Sequence, residues 1–297
     1  MNDMNKATLD YYVELIDNKL LELTHSKPEL QGQVVEAMEY SLQAGGKRLR
    51  PVLMLEFCRM CGERQPEKYA EIACSIELIH TFSLIHDDLP CMDDDDYRRG
   101  KPSCHKAFPE NIALLAGGAL NTLAFEVIAN SAMNGVISAD KAVMLISVLA
   151  RAVGTDGMIG GQVIDLKYEN KEIDVDTLNI LQTCKTGALI EAACVMGVIL
   201  GDKLEAIPFA ADYAQAMGRA FQIVDDILDV TGTFEELGKP IGSDSEQHKN
   251  TYVSLLGLDK SEQIAKQLTV QALGHLKYFE DSVFLTELTS DMLTRRS

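Results

Sequence analysis

The stretch that decides the fold is NIALLAGGALNTLAFEVIANSAM, residues 111–133, which is apolar nearly all round. A helix with no polar face is typical of a protein interior. Residues 141–153 have the same character, and no proline occurs between Pro109 and Pro208. Because proline breaks helix interiors, this spacing permits long helices. The sequence therefore predicts an all-α protein with these two helices at its centre.

Short breaks, rather than linkers, divide the rest of the chain. Ala, Leu, Glu, Lys, Met and Gln fill the segments between the breaks, and these residues favour helices. No run of alternating Val, Ile and Thr bounded by Asn-Gly or Asp-Gly turns suggests a sheet. With no repeat and no Gly/Ser-rich linker, we expect one domain over residues 1–297 with about ten helices.

The charge balance limits the class of partner. Lys and Arg number 27 against 45 Asp and Glu, which gives a net charge of −18 and a pI near 4.7. This excludes a basic nucleic-acid footprint and argues against an electrostatic membrane-surface binder. We expect no nucleic-acid partner and no membrane partner.

The cysteines, the lengths of the uncharged runs and the N-terminal residues all indicate a cytoplasmic protein without a membrane span. The seven cysteines have no framework spacing, and the lone pair Cys58 and Cys61 is interpreted as ordinary buried thiols. In residues 111–150, charged side chains keep the uncharged runs below the ~18–20 residues of a membrane span. The N-terminal residues lack the apolar core of a signal peptide. The expected location is the cytoplasm.

Two acidic clusters lie in apolar surroundings, at residues 87–96 and 225–229. Carboxylates within an apolar helix cost desolvation energy unless they are paired or bind metal. At about 100° per residue, the oxygen-bearing side chains of the second cluster converge on one helix face. These side chains are Gln222, Asp225, Asp226 and Asp229. Converging hard oxygens are typical of a Mg²⁺ site.

The first acidic cluster is less regular. An ideal helix would place Asp93 about 120° from Asp87 and would place Asp94 on the Asp87 face. Pro90 interrupts the helix and lets Asp93 turn round, so helical geometry leaves Asp93 and Asp94 as alternatives. His80 shares the Asp87 face, either as a ligand contact or as a packed core residue.

Basic residues are few, and they follow glycines or the acidic clusters. They occur in GGKRLRP at 45–51, RRGK at 98–101, KTG at 185–187 and GKPIGSD at 238–244. A glycine-rich turn with Lys or Arg suits phosphate oxygens, and Arg offers a bidentate fork. Cations beside two carboxylate clusters predict a site that binds diphosphate from both sides.

Six motifs together resemble the trans-isoprenyl diphosphate synthase family, most closely its bacterial farnesyl type. They are GGKRLRP (45–51), IHDDLPCMDDDDYRRGKPSCH (85–105), GGQVIDL (160–166), KTGALIEAA (185–193), FQIVDDILD (221–229) and GKPIGSD (238–244). The order is that of the family, and the resemblance covers nearly the whole chain. It implies the all-α isoprenoid synthase fold, with about ten helices around a central catalytic cavity, and a homodimer.

The resemblance also implies residue roles. The Mg²⁺ ligands, for three ions per site when substrate is bound, are Asp87, Asp93 and Asp225, with Asp88, Asp226 and Asp229 in support. The diphosphate of isopentenyl diphosphate would be held by Lys47, Arg50, His80 and Arg99. The diphosphate of the allylic substrate, dimethylallyl or geranyl diphosphate, would be held by Arg98, Lys185 and Lys239. Thr186 and Gln222 would lie near the reacting carbons.

The implied activity is prenyl transfer in isoprenoid biosynthesis. An allylic diphosphate ionises, isopentenyl diphosphate attacks the cation, and a proton is lost, so no protein nucleophile is required. Phe82, five residues before Asp87 and next to Ser83, is bulky at the family's chain-length position. This feature, with the two extra residues inside DDLPCMD, favours a C15 farnesyl product, with C20 geranylgeranyl as the alternative.

Three other interpretations are weaker. A class I terpene cyclase would carry a wider second metal motif than residues 225–229, and a non-catalytic regulatory subunit would have lost one Asp-rich motif. A Mg²⁺ phosphohydrolase would need a general base, and none can be assigned. The basic tail Arg295-Arg296 is expected to fray rather than to close over the site.

Overall fold

A computed structural model describes residues 1–25, 29–231 and 250–293. Within these ranges fourteen α-helices occur, two of them single turns of four and five residues. Their bounds are α1 Asp3–Thr24, α2 Gly32–Leu42, α3 Leu49–Met60, α4 Ala70–Asp87, α5 Cys104–Ala107, α6 Glu110–Met133, α7 Ala139–Val153, α8 Met158–Lys167, α9 Val175–Gln182, α10 Ala188–Leu200, α11 Ile207–Thr231, α12 Tyr252–Leu256, α13 Leu258–Leu276 and α14 Val283–Leu293. The all-α prediction is confirmed.

Two compact units make up the chain. The N-terminal unit is Lys6–Leu55 with Arg64–Ser147, and the C-terminal unit is Met1–Asn5 and Glu56–Glu63 with Val148–Ser297. The single domain over residues 1–297 and its central cavity stay predictions. Lys239 with its motif, and Arg295-Arg296, lie outside the described residues.

The N-terminal unit is built on the packing of α4 against α6, with α2 on α6 as well. Twelve of the 18 residues of α4 are buried, among them the apolar Ile72, Ile76 and Ile79. The buried face of α6 consists largely of small residues, which let the two helices approach closely. These are Ala113, Ala116, Gly117 and Ala124. The packing fixes the end of α4, where the first acidic cluster begins.

In the C-terminal unit the central element is α10, which packs against α11. Every residue of α10 except Ala188 and Glu191 is buried. α11 in turn packs along α13, so that α11 lies between two helices. This arrangement fixes the direction of α11, which carries the second acidic cluster.

The prediction that residues 111–133 and 141–153 are enclosed on all sides is wrong for the single chain. On α6, Leu114 and Leu115 are more than half exposed, and Val143 on α7 is two-thirds exposed. The apolar composition concealed a division into two faces: α6 buries Leu120 and Ile128 together with its small residues, whereas Leu114 and Leu115 lie on the exposed face. The fully enclosed helix is α10 instead.

A small two-stranded ribbon is an exception to the helical architecture. β1 (Tyr97–Arg98) pairs antiparallel with β2 (Lys101–Pro102), and Arg98 lies opposite Lys101. Arg99 and Gly100 form the loop, with φ of 54° and 76°. A two-residue hairpin loop with both φ values positive matches the twist of paired strands. The ribbon places two arginines of the sequence motif at a defined turn.

Three helical stretches in the described part of the chain are long and apolar enough to cross a membrane, judged by length and composition alone. They are Glu110–Met133, Ala139–Lys167 and Val175–Leu200. The second is interrupted where α7 ends and α8 begins. Length and mean hydropathy therefore do not support the exclusion that the uncharged runs suggested. The absence of a membrane partner stays a prediction.

Candidate active site

The first acidic cluster folds back on the end of α4. The helix ends at Asp87, three residues before Pro90, as expected where a proline follows. Asp93 N–H then donates to the carbonyl oxygen of Asp87, at 2.9 Å. The six-residue spacing therefore closes into a loop whose two ends, Asp87 and Asp93, are neighbours.

Asp94 points its carboxylate elsewhere. Its backbone is left-handed, with φ of 50°, and its Oδ1 lies 3.6 Å from His105 Nε2 and 3.9 Å from Lys106 Nζ. The geometry of the loop thus favours Asp93 over Asp94 as the partner of Asp87, a choice that ideal helical angles left open.

Asp88 holds an arginine. Its side chain is about 2% exposed, and Arg98 Nε donates to both carboxylate oxygens, at 3.0 and 3.3 Å. Arg98 Nη2 also contacts Asp88, and it lies 3.1 Å from Asp95 Oδ2. Burial raises the pKa of Asp88, and the neighbouring Arg98 counteracts the effect. Asp88 therefore orients Arg98 beside the Asp87–Asp93 pair.

A cluster of basic side chains lies elsewhere in the N-terminal unit. Gly45 and Gly46 have positive φ, and Arg99 donates to the carbonyl oxygen of Gly45. Gly46 has a φ of 141°, which L side chains rarely adopt, and a Cβ there would lie 2.7 Å from the end of the flexible Arg99 side chain. Arg99 Nη2 is 3.4 Å from His80 Nε2. The GGKRLRP turn, the hairpin and α4 thus meet at one point.

The electrostatics of this cluster suit an anion. Burial, with the Arg50 and Arg99 guanidinium groups, lowers the pKa of His80 well below its usual value, so the imidazole is neutral. Arg50 Nε is buried and has no hydrogen-bond partner among the described residues. Lys47 is exposed on the same turn. The four side chains predicted to hold the diphosphate of isopentenyl diphosphate belong to adjoining segments of one unit.

In the C-terminal unit, Lys185 and Thr186 lie on a π-helical turn, Thr183–Gly187. Such turns inside α-helices occur frequently at functional sites. Lys185 Nζ lies 2.6 Å from Asp165 Oδ2 on α8. Thr186 Oγ1 is 3.5 Å from Gln222 Oε1 on α11, the outer limit of a hydrogen bond. Three predicted motifs therefore meet: GGQVIDL, KTG and FQIVDDILD.

The close approach of α8 to the π-helical turn depends on Gly161. A Cβ there would lie 2.3 Å from Lys185 N and 2.6 Å from Lys185 Cα. These are backbone atoms, so a larger residue would displace the turn that carries Lys185 and Thr186. This contact is a physical reason for a glycine at position 161, the second glycine of the GGQ motif.

The second acidic cluster divides by exposure. Asp225 is exposed, whereas Asp226 and Asp229 are buried. Asp226 Oδ2 accepts a hydrogen bond from Tyr252 N, at 2.8 Å, which ties the start of α12 to α11. Asp225 is therefore the most accessible carboxylate of the three, and the supporting metal role of Asp226 and Asp229 stays a prediction.

Sequence reasoning gave no role to several residues of this region. Asp165 lies within a quoted motif but was not assigned, and only the structure pairs it with Lys185. Both polar atoms of the buried Gln162 amide lack hydrogen-bond partners within the described ranges. Arg48 and Glu77 form a buried ion pair. Of these residues, only Glu77 could have been recognised in the sequence, because it is a charged residue that follows a run of apolar residues on α4.

The carboxylates fit Mg²⁺ when a diphosphate shares the coordination. Among the described residues, no group of three or more His, Cys, Asp or Glu side chains is arranged to hold a metal ion by itself. Mg²⁺ usually takes one or two carboxylates and completes its shell with substrate phosphates and water. In the N-terminal unit the neighbouring Asp87 and Asp93, and in the C-terminal unit the exposed Asp225, are carboxylates of the kind that such coordination uses.

The fold and the site together define an all-α protein that carries carboxylate and cation clusters for a metal-bound diphosphate. The polyprenyl synthetase family model matches residues 31–283. A geranylgeranyl diphosphate synthase from Cyanophora paradoxa is 44% identical over 266 residues, which cover 89% of this chain and 88% of the relative. The chain belongs to the polyprenyl synthetase family.

Two solved structures are similar throughout. An FPP/GFPP synthase from Zymomonas mobilis is 36% identical with a TM-score of 0.86, over 99% of this chain and 100% of that one. A geranyltransferase from Helicobacter pylori, complexed with magnesium and isoprenyl diphosphate, is 33% identical with a TM-score of 0.81. That match covers 99% of this chain and 97% of the other. Fold and family therefore agree with the resemblance carried by the motifs.

Proposed function

We propose that the chain is a Mg²⁺-dependent prenyltransferase that condenses isopentenyl diphosphate with dimethylallyl or geranyl diphosphate and forms farnesyl diphosphate. Family membership supports the transfer of prenyl groups between isoprenyl diphosphates. The observation that carries the proposal is the pairing of carboxylates with fixed cations. Asp87 and Asp93 adjoin the Arg98–Asp88 pair, and Asp225 shares its unit with Lys185.

The two diphosphates are assigned to different cation sets. Isopentenyl diphosphate, which keeps its diphosphate, binds at the cluster of Lys47, Arg50, His80 and Arg99. The cations assigned to the allylic diphosphate, which departs, are Arg98, Lys185 and Lys239, the last of which lies outside the described residues. Lys185 pairs with Asp165 on α8, and the diphosphate would replace Asp165 as its partner.

Ionisation of the allylic substrate separates a diphosphate anion from a carbocation. Bound Mg²⁺ would supply positive charge to the departing diphosphate, with Asp87 and Asp93 as the ligands proposed in the N-terminal unit and Asp225 as the ligand proposed in the C-terminal unit. Arg98, held by Asp88, and Lys185, held by Asp165, are the cations that we propose for this anion, and a cation already held in place lowers the barrier without reorganisation. Thr186 Oγ1 and Gln222 Oε1 are 3.5 Å apart, and their dipoles are the ones that we propose to stabilise the developing cation. The alkene of isopentenyl diphosphate then attacks, and the released diphosphate accepts the proton.

Phe82 supports the assignment of a C15 product. Its side chain is about 8% exposed, and its ring lies 4.7 Å from the His86 ring in an edge-on arrangement. His86 Nε2 is 3.1 Å from the Leu114 carbonyl oxygen, so the pair is braced against α6. A rigidly held aromatic side chain next to the Asp87 motif is suited to limit the length of the growing prenyl chain. Ser83 turns its hydroxyl back to the His80 carbonyl oxygen and adds no bulk.

A C20 product is the second candidate. The relative from Cyanophora paradoxa is a geranylgeranyl diphosphate synthase, and its similarity extends along most of both chains. Phe82 is the feature of this chain that argues for stopping at C15. Homodimeric assembly is a further proposal, drawn from the family resemblance, and a cytoplasmic location stays a prediction.

Product length is determined by incubating the purified protein with Mg²⁺, labelled isopentenyl diphosphate and geranyl diphosphate. We expect farnesyl diphosphate as the main product after chromatographic separation by chain length. A C20 main product would replace the C15 assignment while leaving prenyl transfer intact. A cyclic hydrocarbon would indicate a cyclase, and the absence of any new prenyl diphosphate would indicate a non-catalytic subunit.

Gly161→Ala is expected to lower kcat/KM for the allylic diphosphate by about tenfold to 100-fold. The added Cβ would push against the Lys185 backbone and move the π-helical turn, and displacements near 1 Å carry costs of that size. Steady-state kinetics with varied geranyl diphosphate measure the effect. Gly118→Ala is the matched control, because a Cβ there meets nothing within 4 Å and should leave turnover unchanged. Equal kinetics for the two variants would contradict the role of this contact.

A further inference from the structure

A buried ion pair lies beneath the cation cluster of the N-terminal unit. Arg48 Nη1 and Glu77 Oε1 are 2.7 Å apart, and the two side chains are about 2% exposed. Removing two charges from water costs hydration free energy, and an ion pair offsets this cost only with good geometry and further hydrogen bonds. An ion pair that is almost fully buried and costs desolvation energy does not serve solubility, so its role lies inside the protein.

Arg48 fixes the backbone of the GGKRLRP turn. It has a left-handed φ of 46°, a conformation that costs free energy for any residue with a side chain. Its guanidinium donates to the Leu42 carbonyl oxygen at 2.5 Å and to Asp17 Oδ1 at 2.7 Å, in addition to Glu77. Three bonds from one planar group hold the turn in this conformation. Lys47 and Arg50 lie on either side of Arg48, so the conformation held at Arg48 sets the course of the backbone that carries them.

Glu77 also acts on the cluster by charge. It lies three residues before His80 on α4, almost one helical turn away. Burial lowers the pKa of both Arg50 and Arg99, and the Glu77 carboxylate works in the opposite direction on each. The buried Glu77 carboxylate therefore offsets the repulsion between Arg50 and Arg99 when no substrate is bound.

We propose that Glu77 is a positioning residue of the isopentenyl diphosphate subsite. It locks Arg48, and through Arg48 the Lys47–Arg50 segment, and it balances the charge of the empty cluster. This inference rests on the proposed function, since it assumes that the cluster holds the diphosphate that is retained. Arg98 and Lys185, which bind the departing diphosphate, have their own carboxylate partners, Asp88 and Asp165. The effect of Glu77 is therefore confined to one substrate.

The test is Glu77→Gln, which keeps the shape of the side chain and removes its charge. We expect the KM for isopentenyl diphosphate to rise about tenfold, while the KM for geranyl diphosphate and kcat stay within about twofold. A tenfold change corresponds to about 1.4 kcal/mol. Glu56→Gln is the matched control: Glu56 is equally buried, pairs with Arg59 at 3.0 Å, and belongs to the other unit. It should lower the melting temperature and leave both KM values unchanged.

Equal rises in both KM values, or no rise in either, would overturn the positioning role. If Glu77→Gln does not fold, Asp17→Asn carries the test, because Asp17 binds the same Arg48 and its side chain is 44% exposed. That variant should raise the KM for isopentenyl diphosphate alone, by about threefold, and an unchanged value overturns the proposal. Lys47→Ala separates this inference from its premise. If Lys47→Ala leaves the KM for isopentenyl diphosphate unchanged, the subsite assignment itself is wrong.

Discussion

Asp93→Asn is expected to lower kcat by about 100-fold to 1,000-fold, because it removes one charged oxygen donor from the metal site that we propose for the departing diphosphate. Interactions that stabilise developing charge in a transition state are worth several kcal/mol each. Asp93 N–H is bound to the Asp87 carbonyl oxygen, so the loop geometry does not depend on the lost carboxylate. Steady-state kinetics at saturating Mg²⁺ and substrates measure the loss.

The neighbouring residue provides a control with the same chemical change. Asp94→Asn also replaces a carboxylate by an amide, and Asn tolerates the left-handed backbone at this position. Because Asp94 faces His105 and Lys106, kcat should stay within about threefold of the wild type. If Asp94→Asn is the more damaging substitution, the choice of Asp93 as metal ligand is wrong.

Phe82→Ala is expected to lengthen the main product by at least one isoprene unit relative to the wild type, which is a change from C15 to C20 or beyond if the proposed farnesyl product is correct. The substitution removes the aromatic ring that rests against His86 and opens the space that it filled. Truncating a buried Phe costs about 3–5 kcal/mol of stability, so the melting temperature is measured alongside the product distribution. Phe82→Met, which keeps more volume, should give a mixture of the shorter and longer products.

Phe108→Ala is the control for the loss of an aromatic ring as such. Phe108 is half-buried in the same unit, where its ring lies 5.5 Å from that of Tyr40. Its removal should leave the product length unchanged. A folded Phe82→Ala protein that still stops at the wild-type length would remove Phe82 from the floor of the site.

The helical architecture followed from local rules, and the exceptions have physical reasons. Long proline-free stretches rich in helix formers did become helices, from α6 to α10. Burial was harder to predict, since an apolar composition does not reveal which face of α6 packs against α4. The short ribbon at Tyr97–Pro102 escaped notice because two residues per strand leave no alternation to detect.

The candidate site was likewise predictable only in part. The order and spacing of the sequence motifs were enough to predict the family, which the family model confirms, and they also predict which segments form the site. The roles of individual carboxylates depended on tertiary contacts that no spacing encodes. Asp88 binds Arg98, Asp226 binds the start of α12, and the choice of Asp93 over Asp94 rests on one backbone hydrogen bond. Glu77 looked like one charge on a core helix until the fold placed Arg48 against it.

The most direct test of prenyl transfer is the stoichiometry of one reaction. Purified protein is incubated with Mg²⁺, geranyl diphosphate and isopentenyl diphosphate, and inorganic diphosphate and prenyl diphosphate are quantified together over time. The account predicts one diphosphate released for each isopentenyl diphosphate consumed, with a product five carbons longer than its allylic precursor. Diphosphate release without chain elongation, or no release when both substrates and Mg²⁺ are present, would contradict it.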